Sequence, residues 1–268
     1  ALMGVRVVRP DLVPVRLLYT TFLHNLYGAR YGKDAIYNGS GEVASGSAVQ
    51  DCHFDADPAQ FLAPYAGLNI TTYAHLELKY SNYWSLPIAG NLFAHAQIGL
   101  SDGAASSGLH PQFNRFEENY VASIYFGALI PSLVVENNQF VMPHSRAVAT
   151  HPSRESFLAE YEGGSGGFYW YSLAASRLST GTAGIYFLNP GSGDGELVRI
   201  RQNTFEHSVP FDLFPAVAEA AEGQVGIEIE NTIVTNSEIL ENTFTNLHYG
   251  VSMVGGIQLN GFWPYTYD

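Results

Sequence analysis

The chain has 268 residues, of which 13% are aromatic and only 14% are charged, and its formal net charge at pH 7 is −13. This negative charge argues against nucleic acid or an anionic lipid surface as partner, although arginine side chains, or Ca²⁺ held by carboxylates, could still bind an anionic polysaccharide locally. The single cysteine, Cys52, excludes an intramolecular disulfide and is expected to be a small buried residue.

The first fourteen residues are mostly apolar and contain two prolines. We expect residues 1–14 to be an extended lead-in that caps an open edge of the structure, since repeat structures need capped ends. No basic stretch followed by a long apolar run opens the chain, so a signal peptide, if one existed, has been removed. The most apolar run, 121–135, contains Pro131, and the sequence therefore predicts no membrane span.

A short phrase recurs along the chain, in which alternating apolar and polar residues end in Asn-x-Phe. Its clearest copy is 198–205, and degenerate copies end at Phe22 and Phe54. The repeated asparagines are Asn91, Asn114, Asn138, Asn203, Asn242 and Asn260. A second apolar phrase alternates with the first, centred on Ile36, Ile124, Ile185, Ile227 and Val251. Two alternating short phrases, rich in β-branched and aromatic residues, predict a repeat protein built from short strands.

Each phrase is too short to be stable alone, so the copies must stack and cover one another's apolar faces and open edges. In such a stack we expect the Phe side chains to form one internal column. We expect each repeated Asn to take the left-handed backbone conformation of a corner and to hydrogen-bond to the Asn of the next layer. From Asn91 the spacing is 23 and then 24 residues, which suits one compact turn.

The Asn-x-Phe corners, with the Gly-Ile-x-Ile strands that follow them, resemble the repeats of right-handed parallel β-helix proteins of the pectate-lyase-like type. The resemblance extends over most of 15–262. It implies an all-β fold, a right-handed parallel β-helix solenoid, in which residues 1–268 form a single domain. Because this fold hosts many activities, the resemblance implies an architecture more than a reaction. The alternative is an antiparallel sandwich in which the triplets occur by chance.

Two longer intervals, of 65 and 39 residues, follow Asn138 and Asn203. We predict that two excursions leave the coil there, at 143–183 and 206–225. Each contains a helix signal, and these signals lie at 152–161 and 216–223. The first excursion also holds an aromatic run whose rings either stack on a bound sugar or pack inside the excursion. The candidate substrate-binding rings are Trp170, Tyr171 and Tyr169.

Charged residues recur on the solvent side of the first phrase, two and four residues before the repeated Asn. With neighbouring layers about 4.8 Å apart, Glu136 should lie beside Arg201, and Arg199 beside Glu238. In the lyases that the repeats resemble, an arginine or lysine base and Ca²⁺-binding carboxylates lie on such a sheet, which implies a catalytic role for these four residues. The alternative is a ladder of surface ion pairs that contribute little each. Other copies hold Arg16, Glu77 and Lys79 at these positions.

A second polar group lies just past the corners, four residues after the repeated Asn: His24, His95, Glu118, His207 and Asn246. A histidine there could act as an acid or a base near neutral pH. The histidines are not on adjacent layers, which disfavours a shared metal site. A more local group is a better candidate for substrate binding, and it consists of Arg115, Glu118, His144 and Arg146.

The sequence lacks specific catalytic signatures, such as a close trio of carboxylates, Gly-x-Ser-x-Gly, a phosphate-binding loop or a cysteine-based metal motif. We therefore predict no metal-ligand set and no certain cofactor. Ca²⁺ is the one candidate ion, because Asp51, Asp55 and Asp57 could hold it weakly, but these acids fit no known loop pattern and a solvated corner is the simpler explanation.

The leading hypothesis is an extracytoplasmic protein, extracellular, periplasmic or on the cell surface, that binds polysaccharide or cleaves it by lyase or hydrolase chemistry. The alternative is a non-catalytic surface, spike or assembly protein that uses the β-helix as a rigid scaffold, as a homo-oligomer or in a larger assembly. The sequence does not decide between enzyme and scaffold. Because the chain stops soon after a repeat, we also keep open that it is part of a longer protein.

Overall fold

The computed structural model describes residues 3–25, 27–32, 42–56, 74–79, 86–96, 98–102, 108–119, 122–126, 132–142, 182–188, 192–193, 198–207, 224–230, 233–234 and 237–254. All regular structure in these ranges is β. The first twelve strands are β1 (Met3–Val7), β2 (Arg16–Leu18), β3 (Thr21–Leu23), β4 (Tyr27–Gly32), β5 (Ala48–Gln50), β6 (His53–Asp55), β7 (Ala74–Lys79), β8 (Ile88–Ala89), β9 (Leu92–Ala94), β10 (Ile98–Asp102), β11 (Pro111–Gln112) and β12 (Arg115–Glu117). The others are β13 (Ala122–Phe126), β14 (Leu133–Glu136), β15 (Gln139–Met142), β16 (Thr182–Leu188), β17 (Ser192–Gly193), β18 (Val198–Arg201), β19 (Thr204–His207), β20 (Gln224–Glu230), β21 (Ile233–Val234), β22 (Ser237–Leu240), β23 (Thr243–Thr245) and β24 (Tyr249–Val254).

The strands form three long sheets, and all their pairings are parallel. The first sheet has the order β1-β4-β7-β10-β13-β16-β20-β24, the second β2-β5-β8-β11-β14-β18-β22, and the third β3-β6-β9-β12-β15-β19-β23. The short strands β17 and β21 pair separately. The chain thus visits the second, third and first sheets in turn, once per coil, which is consistent with a parallel β-helix solenoid. The antiparallel sandwich is wrong.

The seven coils are β2–β4, β5–β7, β8–β10, β11–β13, β14–β16, β18–β20 and β22–β24. Their third-sheet strands carry the predicted phenylalanine column. Consecutive ring centroids lie 4.6, 5.0, 5.1, 5.0, 4.4 and 5.0 Å apart, from the first coil to the seventh. The rings belong to Phe22, Phe54, Phe93, Phe116, Phe140, Phe205 and Phe244. The column lies inside the coil, because the middle five rings are completely buried.

The repeated asparagines form a hydrogen-bonded ladder from coil to coil, as predicted. The Nδ2 of Asn138 donates to Asn203 Oδ1 at 3.1 Å, and the Nδ2 of Asn203 donates to Asn242 Oδ1 at 2.9 Å. The expected left-handed conformation of these asparagines is wrong. The residue with positive φ is the one before the ladder Asn, for example Gln202 (φ 56°) and Phe113 (φ 55°). The residue before the Asn therefore forms the left-handed corner, whereas the Asn side chain hydrogen-bonds one coil to the next.

A column of small residues in the first sheet makes room for the phenylalanine rings. A Cβ added at Gly184 would lie 2.6 Å from the ring of Phe205 and 2.7 Å from the carbonyl oxygen of Gly226. In the second coil the residue of this column is large. It is His75 of strand β7, which is in register with Gly99 of β10. A buried imidazole therefore enters the core at the second coil.

Several predicted boundaries need correction or lie beyond the described ranges. The first coil uses β4 as its first-sheet strand, whereas the predicted strand around Ile36 lies outside the described residues. Glu77 and Lys79 belong to β7 in the first sheet, not to the face of the second sheet. The outer limits of the two predicted excursions, 143–183 and 206–225, overlap strands β16, β19 and β20. The predicted helices at 152–161 and 216–223 lie outside the described residues.

Candidate functional site

The outer face of the second sheet brings the predicted charged residues together. The register places Glu136 beside Arg201 and Arg199 beside Glu238. The Nε of Arg201 donates to Glu136 Oε2 at 2.7 Å, and the Nε of Arg199 donates to Glu238 Oε2 at 3.0 Å. The predicted neighbours are therefore confirmed, whereas their catalytic role stays a prediction.

A third partner of this network was missed from the sequence. Nε2 of His110 lies 2.8 Å from Glu136 Oε1, so each oxygen of this carboxylate has its own partner. His110 lies four residues before Asn114, which is the position that Arg199 holds relative to Asn203. This spacing could have identified His110 from the sequence. The short strand β11 was not recognised, because Pro111 interrupts its alternating pattern.

The pKa of Glu136 is held below its ordinary value. Partial burial raises this pKa, but the hydrogen bonds from Arg201 and His110 and their charges lower it more. Glu136 is therefore ionised at neutral pH and acts as a fixed anion between two donors. Such a group orients its partners well, but it is a poor general acid because it holds no proton to give.

An exposed aromatic residue follows the strand that carries His110. Phe113 follows β11 at the left-handed corner, its backbone nitrogen donates to the Glu136 carbonyl oxygen at 3.4 Å, and 61% of its surface is exposed. Tyr19 takes the same corner position in the first coil and is 80% exposed. We define the second-sheet patch as His110, Phe113, Glu136, Arg199, Arg201 and Glu238.

The geometry of the patch suits ligand binding better than cleavage of a glycosidic bond. The backbones of Glu136 and Glu238 are separated by two strand spacings and two residues, or about 12 Å, whereas a glycosidase needs its two carboxyl groups roughly 5–9.5 Å apart. Each carboxylate also pairs with its own arginine. Each guanidinium is therefore held in an ion pair, which opposes its use as a base.

Of the remaining predicted binding residues, the described ranges include Arg115, which does not join this patch. Arg115 lies on β12 in the third sheet, where its Nε donates to Glu117 at 2.9 Å and its Nη1 donates to Gln139 at 3.2 Å. Its predicted partners His144 and Arg146, and the aromatic residues Trp170, Tyr171 and Tyr169, lie outside the described residues.

The corners that lead from the third sheet to the first form a second polar region. His24, His95, Glu118 and Asn246 share a left-handed backbone there, with φ between 47° and 61°. Nδ1 of His95 lies 2.9 Å from Asp55, and its Nε2 lies 3.9 Å from Glu118. The described ranges contain no group of three or more His, Cys, Asp or Glu side chains that could hold a metal ion. Asp55 is engaged by histidines, and Asp57 lies outside these ranges.

A buried polar row on the first sheet was also missed. Glu77, Ser101, Tyr125, Tyr186 and Glu228 are in register on five successive strands, and none is more than 5% exposed. Glu77 forms an ion pair with Arg30 of the neighbouring strand. The two tyrosines pack with small apolar residues in a cluster separate from the main core. Alternation alone could not find this row, because both faces of these strands are buried.

No protein-family model, no curated protein and no solved structure matches this chain. In the part of the chain that the structure describes, no helix is long and apolar enough to cross a membrane.

Proposed function

We propose that this chain is a right-handed parallel β-helix of the pectate-lyase-like type that binds polysaccharide on its second-sheet patch. The right-handed sense is supported by the strong preference of parallel strand crossovers for that hand. The family assignment is supported by the repeated Asn-x-Phe corner and by the stacked coils. Because polymeric carbohydrates of this kind lie outside the cytoplasm, an extracellular, periplasmic or cell-surface location belongs to the same proposal.

The observation that carries this proposal is the exposed Phe113, whose backbone hydrogen-bonds to Glu136, the residue that pairs with His110 and Arg201. Sugar recognition needs an apolar surface for the C–H face of the ring and a few fixed polar groups for its hydroxyl groups. The patch presents both on an open sheet. Its strands β11, β14, β18 and β22 are adjacent, so it extends about 14 Å across the coils, which suits an extended chain.

Binding to a panel of immobilised polysaccharides tests the proposal, with Phe113→Gln as the main variant. Gln202 takes the same corner position with φ 56°, so this substitution removes the ring without changing the backbone. We expect affinity to fall about tenfold, which corresponds to losing roughly 1.4 kcal/mol. Tyr19→Gln is the matched control, because it removes an exposed ring at the same corner three coils away. Equal binding by the wild type and Phe113→Gln would exclude the patch as the site.

The scaffold role is the second candidate, and exposure of the seventh coil favours it. Ile239, Phe244 and Val251 are only partly buried, whereas their equivalents in the fifth coil, Val135, Phe140 and Ile185, are fully buried. The partly buried apolar side chains of the seventh coil offer a surface to another protein or copy. Sedimentation velocity over a wide concentration range tests this role. A protein that stays monomeric and binds no polysaccharide would contradict both the scaffold role and polysaccharide binding.

A further inference from the structure

We infer that the second-sheet patch selects an uncharged polysaccharide over an anionic one. This inference rests on the proposed function and adds the chemical class of the ligand. Its basis is the internal charge balance of the patch, in which the arginines already have carboxylate partners from the same face.

The charges of the patch cancel formally. Arg199 and Arg201 contribute two positive charges, and Glu136 and Glu238 contribute two negative charges, so these four side chains sum to zero. The pairs are direct, at 2.7 and 3.0 Å. Arg16, the other arginine on this face of the described second sheet, lies on β2, three strands away from β11. An anionic ligand would therefore find no cation in the patch without a carboxylate beside it.

Displacing the internal carboxylates is unfavourable. The Glu136 side chain is only 12% exposed, so a ligand carboxylate that took Arg201 would leave a largely buried anion with one partner fewer. Glu241, which accepts a hydrogen bond from Gln202 at 2.8 Å, adds further negative charge at the adjacent corner. The net charge of −13 on the whole chain opposes the approach of an acidic polymer as well.

A neutral sugar meets none of these obstacles. Hydroxyl groups both donate and accept hydrogen bonds, so they can add to the ion pairs instead of replacing them. Each arginine uses its Nε for the glutamate, and about two fifths of each side chain remains exposed, 39% for Arg199 and 42% for Arg201. The guanidinium Nη groups can therefore donate charge-assisted hydrogen bonds to sugar oxygens while the Phe113 ring stacks on the C–H face.

Titration calorimetry with two neutral polymers, hydroxyethyl cellulose and galactomannan, and two anionic ones, polygalacturonate and alginate, tests the inference. We expect a neutral polymer to bind with an affinity that changes less than about twofold between roughly 0.05 and 0.5 M NaCl, because no counterions are exchanged. Binding of an anionic polymer alone, weakened by salt, would overturn the inference and leave the proposed function intact. Binding of none of the four would overturn both.

The variant Glu136→Gln separates charge balance from shape. Gln112 holds the equivalent position on the neighbouring strand, so the substitution is compatible with the sheet. It leaves Arg201 without its carboxylate, and we expect binding to polygalacturonate to strengthen at least fivefold at low salt. Glu117→Gln is the control, because it removes the same charge beside Arg115 on the third sheet. An equal gain in both variants, or no gain in Glu136→Gln, would contradict a patch-specific charge balance.

Discussion

At the scale of single residues, the ladder position shows how one side chain connects neighbouring coils. Cys52 occupies this position in the second coil, where its backbone N–H donates to Asn91 Oδ1 at 2.9 Å and its thiol donates to the carbonyl oxygen of Gln50 at 3.3 Å, but it has no amide to reach the next Asn. Burial raises the pKa of this thiol, so it remains protonated and unreactive at neutral pH. The amide ladder therefore begins at Asn91, in the third coil.

We predict that Cys52→Asn stabilises the protein. By analogy with Asn91, whose Nδ2 donates to Asn114 and to the carbonyl oxygen of Val49, the new amide would reach Asn91 and the carbonyl oxygen of Leu17. Two added buried hydrogen bonds, less the cost of ordering the longer side chain, should increase the free energy of unfolding by about 1 kcal/mol. Urea unfolding measures this, with Cys52→Ala as control. The idea fails if the Asn variant is no more stable than the Ala variant.

At the scale of strands, prediction from sequence succeeded where one side chain has one consistent partner. The Phe column and the Asn ladder follow from a repeated triplet, and the pairing of Glu136 with Arg201 follows from aligning those triplets across a 65-residue interval. The left-handed corner could not be assigned, because residues as different as Tyr19 and Gln202 occupy it. Strand β4 was missed for another reason: its residues are buried on both faces, so they show no clear alternation.

Strand β7 carries the clearest pH-dependent element, because His75 stands where other coils have glycine or serine. Nε2 of His75 lies 2.6 Å from the Ala94 carbonyl oxygen, and the ring contacts those of Phe54 and Phe93. Desolvation lowers the pKa of His75 to about 4. The hydrogen bond to Ala94 and the charge of Asp55 oppose this, and two neighbouring histidines, at positions 53 and 95, add to it. The folded protein therefore keeps this imidazole neutral in moderately acidic solution.

The sign of the effect on stability follows from this lowered pKa. Above pH 6.5 His75 is neutral in both states and costs nothing, whereas below pH 6.5 only the unfolded chain binds the proton. We expect the wild type to lose about 3 kcal/mol relative to His75→Ser between pH 7 and pH 4. Serine is the natural residue at this position in the fourth coil, Ser123. Urea midpoints across this pH range measure the difference, and parallel curves for the two proteins would rule the effect out.

At the scale of the whole molecule, stability should vary along the axis, because each coil contacts only its neighbours. The central coils are covered on both sides, and Phe116 and Phe140 are fully buried there. Within the described residues the seventh coil pairs only with the sixth, and its Phe244 is only partly buried. Local opening should therefore begin at the last coil, where fewer stacked contacts must be broken.

Hydrogen exchange measured coil by coil tests this gradient. We expect backbone amides of β22 and β23 to exchange at least about tenfold faster than those of β14 and β15, because the seventh coil pairs with one described neighbour and its core side chains are only partly buried. Dilution provides the control: if copies associate through the last coil, its protection should rise with protein concentration while that of the central coils stays constant. Uniform exchange across all coils, independent of concentration, would mean that the solenoid opens as a single cooperative unit and that its last coil is as well covered as its centre.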